Sequence, residues 1–205
     1  MDEKYFRIVD DLVEKGWSVC EQFFPDDYLR ELAAEARQSW DSGDFREAGV
    51  GRGGELQVRP EIRSDFVTWL DPENLTPLQK TYWNTLDELR AHINRELFLG
   101  LRSFEGHFAV YPAGSFYKKH LDQFRATKHR LISCLLYLNF DWQETDGGQL
   151  RIYEQSESEE TFQDIIPMAG TFACFRSEMI FHEVLPAAKE RFSLTGWLRK
   201  EDAGF

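Results

Sequence analysis

The sequence has few cysteines, no long hydrophobic run and no excess of positive charge, and each shortage excludes a class of protein. Its three cysteines, Cys20, Cys134 and Cys174, are odd in number and far apart. They fit neither a disulfide framework nor a zinc ribbon, so we expect reduced residues in the core. No apolar run approaches the roughly 18 residues of a membrane span, and the N-terminus lacks the features of a signal peptide. We therefore expect a cytoplasmic protein without membrane contact.

Acidic residues outnumber basic residues by 36 to 24, and the formal net charge is −12. A surface with this charge repels phosphate backbones, so nucleic acid is not an expected partner. The length of 205 residues and the hydrophobic content of 42% fit a single folded domain over residues 1–205. Aromatic residues reach 15%, which indicates a core or a cleft built from rings.

Apolar residues at steps of three and four predict helices in the first half of the chain. We expect one over residues 2–15, a second that opens at Pro25, and a long third helix in which Thr76 is the N-cap and Pro77 the first helical residue. Residues 41–57 are rich in glycine and polar side chains. They predict a long loop, which is either functional and mobile or an ordinary surface loop.

From residue 103 onward the hydrophobic period changes to that of short strands separated by turns. The predicted strands are 103–111, 116–122, 130–138, 148–153, 161–166, 170–175, 180–185 and 190–198. This pattern predicts a mainly β fold, a sandwich or barrel over residues 101–200. Two or three N-terminal helices in residues 1–100 would support one of its sheets.

Two of the five histidines fit a metal site. His120 and Asp122 are two residues apart on a predicted strand, so their side chains would point to the same face. His182, on a late strand, is the best third ligand, although it also fits a structural strand-end histidine. Two histidines and one carboxylate are the ligands of non-haem Fe(II) oxygenases. His107 and His129 have no neighbouring residues in sequence that would make them ligands.

Arg191 opens the last predicted strand, on which Arg191, Ser193, Thr195 and Trp197 share one face. An arginine inside a β-barrel is costly unless it pairs with an anion, and its planar guanidinium matches a carboxylate. A dicarboxylate that chelates the metal at one end would present its other carboxylate to Arg191. A surface arginine beside a hairpin is the alternative.

Five segments, in this order, resemble motifs of the prolyl hydroxylase branch of the 2-oxoglutarate oxygenases. They are YPAGSFYKKHLD (111–122), LYLN (136–139), GGQLRI (147–152), HEV (182–184) and RFSLTGW (191–197). The likeness is greatest to the hypoxia-inducible-factor prolyl hydroxylases and their bacterial counterparts, and it covers about residues 60–200. It implies a double-stranded β-helix, a distorted jelly roll with supporting helices, in agreement with the strand pattern.

The resemblance implies a role for each matched residue. It places Fe(II) on His120, Asp122 and His182, and the far carboxylate of 2-oxoglutarate on Arg191 and Tyr137. The other implied residues of the pocket are Tyr111 and Tyr117 in its lining, Leu150 and Thr195 near the co-substrate, and Trp197 beside the proline site.

Upstream, Arg63 and Asp65 resemble the family's segment whose arginine contacts substrate and whose aspartate holds the metal-bound water. The glycine-rich residues 41–57 resemble the mobile loop that closes over the substrate. The sequence departs from its relatives at three points. Ser64 replaces a glycine, and the segment between Tyr111 and Tyr117 is one residue shorter than in the animal enzymes. The collagen-type enzymes have a lysine where this chain has Arg191.

The resemblance implies a 2-oxoglutarate-dependent dioxygenase of the prolyl 4-hydroxylase type. It would use Fe(II), 2-oxoglutarate and O2, with ascorbate as reductant, to hydroxylate a prolyl residue in a protein, releasing CO2 and succinate. Bacterial members act on proteins of the translation machinery, so elongation factor Tu is an expected target of this chain, which we expect to be a monomer.

Several alternatives stay open at this point. The same chemistry fits a ribosomal-protein prolyl hydroxylase or a free amino-acid hydroxylase. A non-catalytic metal- or oxygen-sensing jelly roll would need no carboxylate anchor such as Arg191. A nucleic-acid demethylase shares the metal ligands, but the charge of −12 disfavours it.

Overall fold

The computed structural model describes residues 3–50, 57–123, 128–154 and 161–200. In these ranges the helices are α1 (Glu3–Glu14), α2 (Asp26–Asp41) and α3 (Pro77–Leu97). The strands are β1 (Trp17–Cys20), β2 (Arg46–Glu47), β3 (Gly49–Val50), β4 (Gln57–Val58), β5 (Phe66–Trp69), β6 (Ser103–Tyr111), β7 (Tyr117–His120), β8 (Arg130–Tyr137), β9 (Leu150–Glu154), β10 (Thr161–Ile165), β11 (Phe172–Arg176), β12 (His182–Val184) and β13 (Arg191–Arg199).

Two antiparallel sheets form the body of the molecule. One has seven strands in the order β1-β11-β8-β13-β6-β5-β2, and the other has four in the order β10-β9-β12-β7. β3 and β4 pair separately as a short hairpin. Strands that are distant in sequence are neighbours in both sheets, which is the arrangement of a double-stranded β-helix. The predicted fold class is confirmed.

Alternate residues of the central strands face opposite sides of the seven-stranded sheet. On β8, Ile132, Cys134 and Leu136 pack into the core shared with the helices. Leu135 and Tyr137 point the other way, into a second core between the two sheets. The period-two pattern of this strand therefore separates a helix-facing layer from the layer that holds the cavity.

The helices cover the outer face of the seven-stranded sheet. Ile8 of α1, Leu29 and Leu32 of α2, and Leu86 and Leu89 of α3 are fully buried in the same core as β8. Their burial against one sheet is the packing that the amphipathic patterns predict.

α3 begins where the sequence predicts. The Thr76 hydroxyl accepts a hydrogen bond from the Gln79 N–H at 3.2 Å, and the Gln79 side chain accepts one from the Thr76 N–H at 3.3 Å. This reciprocal cap satisfies two N–H groups that lack partners in the helix, and Pro77 needs none.

The segment predicted as a loop over residues 41–57 is partly strand. Arg46 pairs with Val67 and Gly49 pairs with Val58. The first pairing joins residues 21 positions apart in sequence, so local composition does not reveal it. Residues 51–56 of this segment lie outside the described residues.

The three cysteines are buried and form no disulfide, as expected. None of the helices in the described ranges has the length and apolar character that crossing a membrane requires.

Candidate metal and co-substrate site

A cavity of about 490 Å³ lies between the two sheets. The seven-stranded sheet contributes Tyr111, Thr195 and Trp197 to its lining, and the four-stranded sheet contributes Tyr117, Leu150 and His182. Arg191 and Ser193 join Thr195 and Trp197 on the cavity side of β13, as the alternation along this strand predicts.

Residues 120, 122 and 182 come together in this cavity. His120 ends β7, His182 begins β12, and the two are paired across the antiparallel ladder. Oδ1 of Asp122 is 3.4 Å from Nε2 of His120 and 3.7 Å from Nε2 of His182. One ligand atom from each residue therefore lies within 4.8 Å of the others.

Asp122 is not on the strand, so the predicted strand over residues 116–122 is too long. β7 ends at His120, and the Gln123 N–H bonds to the Ser177 carbonyl instead of continuing the ladder. The turn after His120 brings the carboxylate beside both imidazoles, a placement that the same-face argument for a regular strand does not describe.

Backbone carbonyls orient both imidazoles. Nδ1 of His120 lies 2.7 Å from the Lys118 carbonyl, and Nδ1 of His182 lies 3.1 Å from the Ile180 carbonyl. A carbonyl only accepts, so Nδ1 carries the hydrogen in both rings and Nε2 keeps its lone pair. Both lone pairs are therefore available to a metal ion next to Asp122.

Asp122 is oriented by two donors. Its Oδ2 accepts a hydrogen bond from the Ser133 hydroxyl at 2.6 Å and another from the Trp197 indole N–H at 2.9 Å. The Ser133 hydroxyl also lies 2.8 Å from that of Ser177. These contacts occupy Oδ2 and leave Oδ1 facing the histidines.

The electrostatics of Asp122 and His182 suit the binding of a cation. Burial acts to raise the pKa of Asp122, but His182, His120 and the Ser133 hydrogen bond outweigh it and hold this pKa well below its usual range. Burial, aided by His120, lowers the pKa of His182 to about 4. An ionised carboxylate and a neutral imidazole are the forms that bind metals.

Arg191 is fully buried in the wall of the same cavity. Its Nε donates to the Gly148 carbonyl at 2.8 Å, and its guanidinium lies 4.9 Å from the Tyr111 ring and 4.8 Å from the Tyr137 ring. Nη1 and Nη2 have no hydrogen-bond partner among the described residues, nor does the buried Tyr137 hydroxyl.

These enclosed groups fit an anionic ligand, because a buried guanidinium without a counter-charge is strongly destabilising. Burial raises the pKa of Tyr137 to about 12, although the charge of Arg191 and its contact act to lower it. The phenol therefore keeps its proton and can donate it. Two guanidinium N–H groups and one hydroxyl fit a carboxylate, so the residues present fit 2-oxoglutarate, as the metal ligands fit Fe(II).

Arg63 and Asp65 pair with each other. Nε and Nη2 of Arg63 donate to the two oxygens of Asp65 at 2.7 and 2.6 Å, and Asp65 is 1% exposed. Arg63 lines the cavity and lies 4.2 Å over the Tyr117 ring, which stacks on His120 at 3.5 Å. Asp65 therefore acts on the cavity through Arg63. The water-holding role that the resemblance implies for it stays a prediction.

Three contacts of this site were not expected from the sequence. Arg130 lies 3.4 Å over the Trp197 ring and bonds to Glu105, while Ser133 bonds to Asp122. Arg130 and Ser133 lie on β8 of the seven-stranded sheet, whereas β7 belongs to the four-stranded sheet. Nothing local in sequence marks them, since the packing of the two sheets brings them to the metal ligands.

The comparisons with known proteins agree with this geometry. A family model described as the 2OG-Fe(II) oxygenase superfamily matches residues 106–199. The crystal structure of a Pseudomonas putida prolyl-4-hydroxylase is 44% identical, with a TM-score of 0.87, and the match covers 96% of this chain and 99% of that one. A second similar structure is that of a prolyl hydroxylase from Trichoplax adhaerens, solved with a peptide of the hypoxia-inducible factor oxygen degradation domain. It is 25% identical, with a TM-score of 0.85, and the match covers 96% of this chain and 89% of that one.

The curated hypoxia-inducible factor prolyl hydroxylase of Caenorhabditis elegans is 29% identical over 203 residues, which cover 93% of this chain and 27% of that protein. This chain thus spans about a quarter of that relative's length. The fold and site define a 2OG-Fe(II) oxygenase. Within that superfamily, the chain belongs to the prolyl hydroxylase family.

Proposed function

We propose that this protein is a Fe(II)- and 2-oxoglutarate-dependent dioxygenase that hydroxylates a prolyl residue within a protein. The observation that carries the proposal is that two sets of residues with ligand-binding atoms meet at one cavity. One is the group of metal-binding atoms of His120, Asp122 and His182. The other is the buried, unpaired polar group of Arg191 and Tyr137.

The protein's own residues have separate tasks in this chemistry. Bound Fe(II) and 2-oxoglutarate would supply the oxidising power, with O2 consumed, CO2 and succinate released, and one oxygen atom added to a substrate C–H bond. His120, Asp122 and His182 would hold the metal. Arg191 and Tyr137 bind the far carboxylate of the co-substrate and fix its orientation. The aromatic walls exclude bulk water from the site.

A protein segment suits the cavity better than a free amino acid. Trp69 on β5 lines the cavity and is 53% exposed, so the wall continues to the surface. The similar prolyl hydroxylase from Trichoplax adhaerens was solved with a peptide fragment of the hypoxia-inducible factor oxygen degradation domain. Elongation factor Tu is the target we propose, and ascorbate the proposed reductant.

The decisive experiment is mass spectrometry of proline hydroxylation. Purified protein is loaded with Fe(II) and incubated with 2-oxoglutarate, ascorbate and elongation factor Tu, and in parallel with a total protein extract of the source organism. We expect a prolyl residue that gains one oxygen atom, together with an equal amount of succinate. Arg191→Leu should lose both products at ordinary 2-oxoglutarate concentrations, because the co-substrate then lacks its counter-charge.

The other outcomes separate the alternatives. Hydroxylation of a ribosomal protein, with elongation factor Tu untouched, would correct the target and keep the reaction. Succinate formation stimulated by free proline but not by a proline peptide would make the protein an amino-acid hydroxylase. No turnover of 2-oxoglutarate with any of these would overturn the proposal in favour of a non-catalytic module.

A further inference from the structure

One buried histidine in the cavity wall has no part in the site described so far. His107 lies on β6, lines the cavity and is 4% exposed. In the seven-stranded sheet it pairs with Trp69 of β5 and with Thr195 of β13. Its ring centroid is 4.8 Å from that of Trp69 and 5.5 Å from that of Trp197. His107 therefore sits between a ring that reaches the surface and a ring that bonds to Asp122.

The imidazole of His107 is neutral and incompletely hydrogen-bonded. Burial, then the positive charges of Arg63 and Arg130, lower its pKa to about 3. Its Nδ1 is enclosed and has no hydrogen-bond partner in the part of the chain that the structure describes. A neutral imidazole carries one N–H donor and one acceptor nitrogen.

The burial of Nδ1 indicates which nitrogen carries the hydrogen. Among buried backbone groups, an N–H without a partner is rarer than an under-satisfied carbonyl, and we assign the imidazole nitrogens by the same preference. Nδ1 of His107 is therefore assigned as the acceptor, and Nε2 carries the hydrogen. Since His107 lines the cavity while Nδ1 is enclosed, the Nε2–H side of the ring is the side that meets the cavity.

A purely structural role does not explain this residue. An apolar side chain would fill the same space between Trp69 and Trp197 without leaving a polar atom unpaired. Leaving a buried polar group unpaired costs roughly 1–3 kcal/mol. A ligand that accepts a hydrogen bond from His107 would add an interaction that an apolar wall cannot make.

The position of His107 points to the substrate rather than to 2-oxoglutarate. Along β6, His107 is four residues from Tyr111, and Tyr111 pairs with Arg191. At about 3.4 Å per residue in an antiparallel strand, this places His107 ~14 Å along β6 from the co-substrate anchor. Its neighbour Trp197 bonds to Asp122, so His107 faces the region between the metal ligands and the cavity mouth.

The chemistry of a prolyl segment matches this donor. A proline residue has a main-chain carbonyl but no main-chain N–H. A protein that holds the backbone at a proline must therefore offer hydrogen-bond donors. The following inference rests on the proposed function. We propose that His107 is a substrate-binding residue whose Nε2–H donates to a main-chain carbonyl oxygen at or next to the target proline. This carbonyl would lie between Trp69 and Trp197.

Two substitutions test the hydrogen bond separately from the shape of the wall. His107→Leu removes the donor, whereas His107→Gln keeps one. The probe is the protein that the wild-type enzyme hydroxylates in the mass-spectrometry experiment, with elongation factor Tu tried first. For His107→Leu we expect KM for this protein to rise about tenfold, the effect of losing one hydrogen bond, with a smaller change in kcat. His107→Gln should recover most of the affinity.

Two controls show that the variants are otherwise intact. Neither variant should melt below the wild type at neutral pH, because His107→Leu removes a polar atom that is buried without a partner. The dissociation constant of 2-oxoglutarate should match the wild type in both variants, since His107 lies far from Arg191 along β6. If His107→Leu does not fold, His107→Phe replaces it, with the same expected rise in KM.

The possible failures are distinguishable. If the wild-type enzyme hydroxylates no protein, the proposed function fails and the role of His107 fails with it. If the wild type is active and His107→Leu has the same KM, only the role of His107 is overturned. An equal rise in KM for the Leu and Gln variants would assign the effect to ring shape and would also overturn it.

Discussion

The indole N–H of Trp197 donates a hydrogen bond of 2.9 Å to Oδ2 of Asp122. The resemblance assigns Trp197 to the wall of the proline site, and this bond gives it a second role at the metal ligands. Arg130 covers the indole ring at 3.4 Å and is itself bonded to Glu105. The side chain that would contact the substrate therefore also orients the carboxylate that would bind the metal.

Replacing Trp197 with phenylalanine should weaken metal binding. The ring and its packing remain, but Asp122 loses one of the two donors that turn Oδ1 toward the histidines. Loss of such a supporting partner typically lowers metal affinity about 10–100-fold. Titration of the metal-free protein with Mn(II) or anaerobic Fe(II) measures the change. Trp69→Phe is the matched control, because the indole hydrogen bond to Asp122 comes from Trp197 and not from Trp69. An equal loss in both variants would contradict the orienting role.

Two glycines with the same φ angle allow the effect of backbone strain to be separated from the effect of a side-chain contact with Arg191. Gly148 and Gly100 both have φ +69°, so alanine strains the backbone at each. At Gly148 a Cβ would lie 3.0 Å from Cδ of Arg191, whereas at Gly100 it meets nothing within 4 Å. Gly148→Ala should therefore displace the guanidinium and raise the dissociation constant of 2-oxoglutarate by about tenfold or more. Gly100→Ala should leave it unchanged, and calorimetric titration with 2-oxoglutarate compares them.

Much of this architecture follows from local pattern. The eight predicted strands from residue 103 onward match β6 to β13 within two residues at every end. Each is a short β-rich or apolar segment bounded by turn residues, a local signal that holds also for β8 and β11, which are buried on both faces. The start of α3 is set by Thr76 and Pro77, which act within one turn. Arg191 is recognisable because alternate residues of its strand are polar in an otherwise apolar segment.

What the sequence does not reveal depends on contacts between distant residues. β5 is too short to show a clear alternation, and it exists as a strand through its pairing with β6. Asp122 reaches the histidines through a turn after β7. His107 has an ordinary strand context in sequence, and only the packing of Trp69 and Trp197 around it shows that it lines the cavity.

Removing one member of the Arg63–Asp65 pair should strongly lower the free energy of unfolding. Arg63→Met would leave the Asp65 carboxylate buried without a counter-charge, which costs about 3–5 kcal/mol. Urea unfolding followed by tryptophan fluorescence measures the loss. Arg59 and Glu61 form a pair with the same spacing at the surface, where both side chains are at least half exposed, so Arg59→Met should change nothing measurable. Comparable losses in the two variants would show that burial of Asp65 is not the cause.

The dependence of stability on pH should report the burial of His107. In the folded protein the pKa of His107 is lowered from 6.5 to about 3. Between these two pH values His107 binds a proton in the unfolded chain but not in the folded chain. The contribution of neutral His107 is therefore fully present above pH 6.5 and is lost progressively as pH falls toward 3. His107→Gln has no such group, so its advantage over the wild type should grow on acidification, by up to about 1.4 kcal/mol per pH unit. Asp122 and His182 titrate in both proteins, and the difference between the two unfolding curves removes their effect. Urea unfolding of the metal-free proteins at several pH values between neutral and mildly acidic measures both stabilities. If the difference in unfolding free energy between the two proteins stays constant with pH, His107 can take up a proton without leaving its place between Trp69 and Trp197.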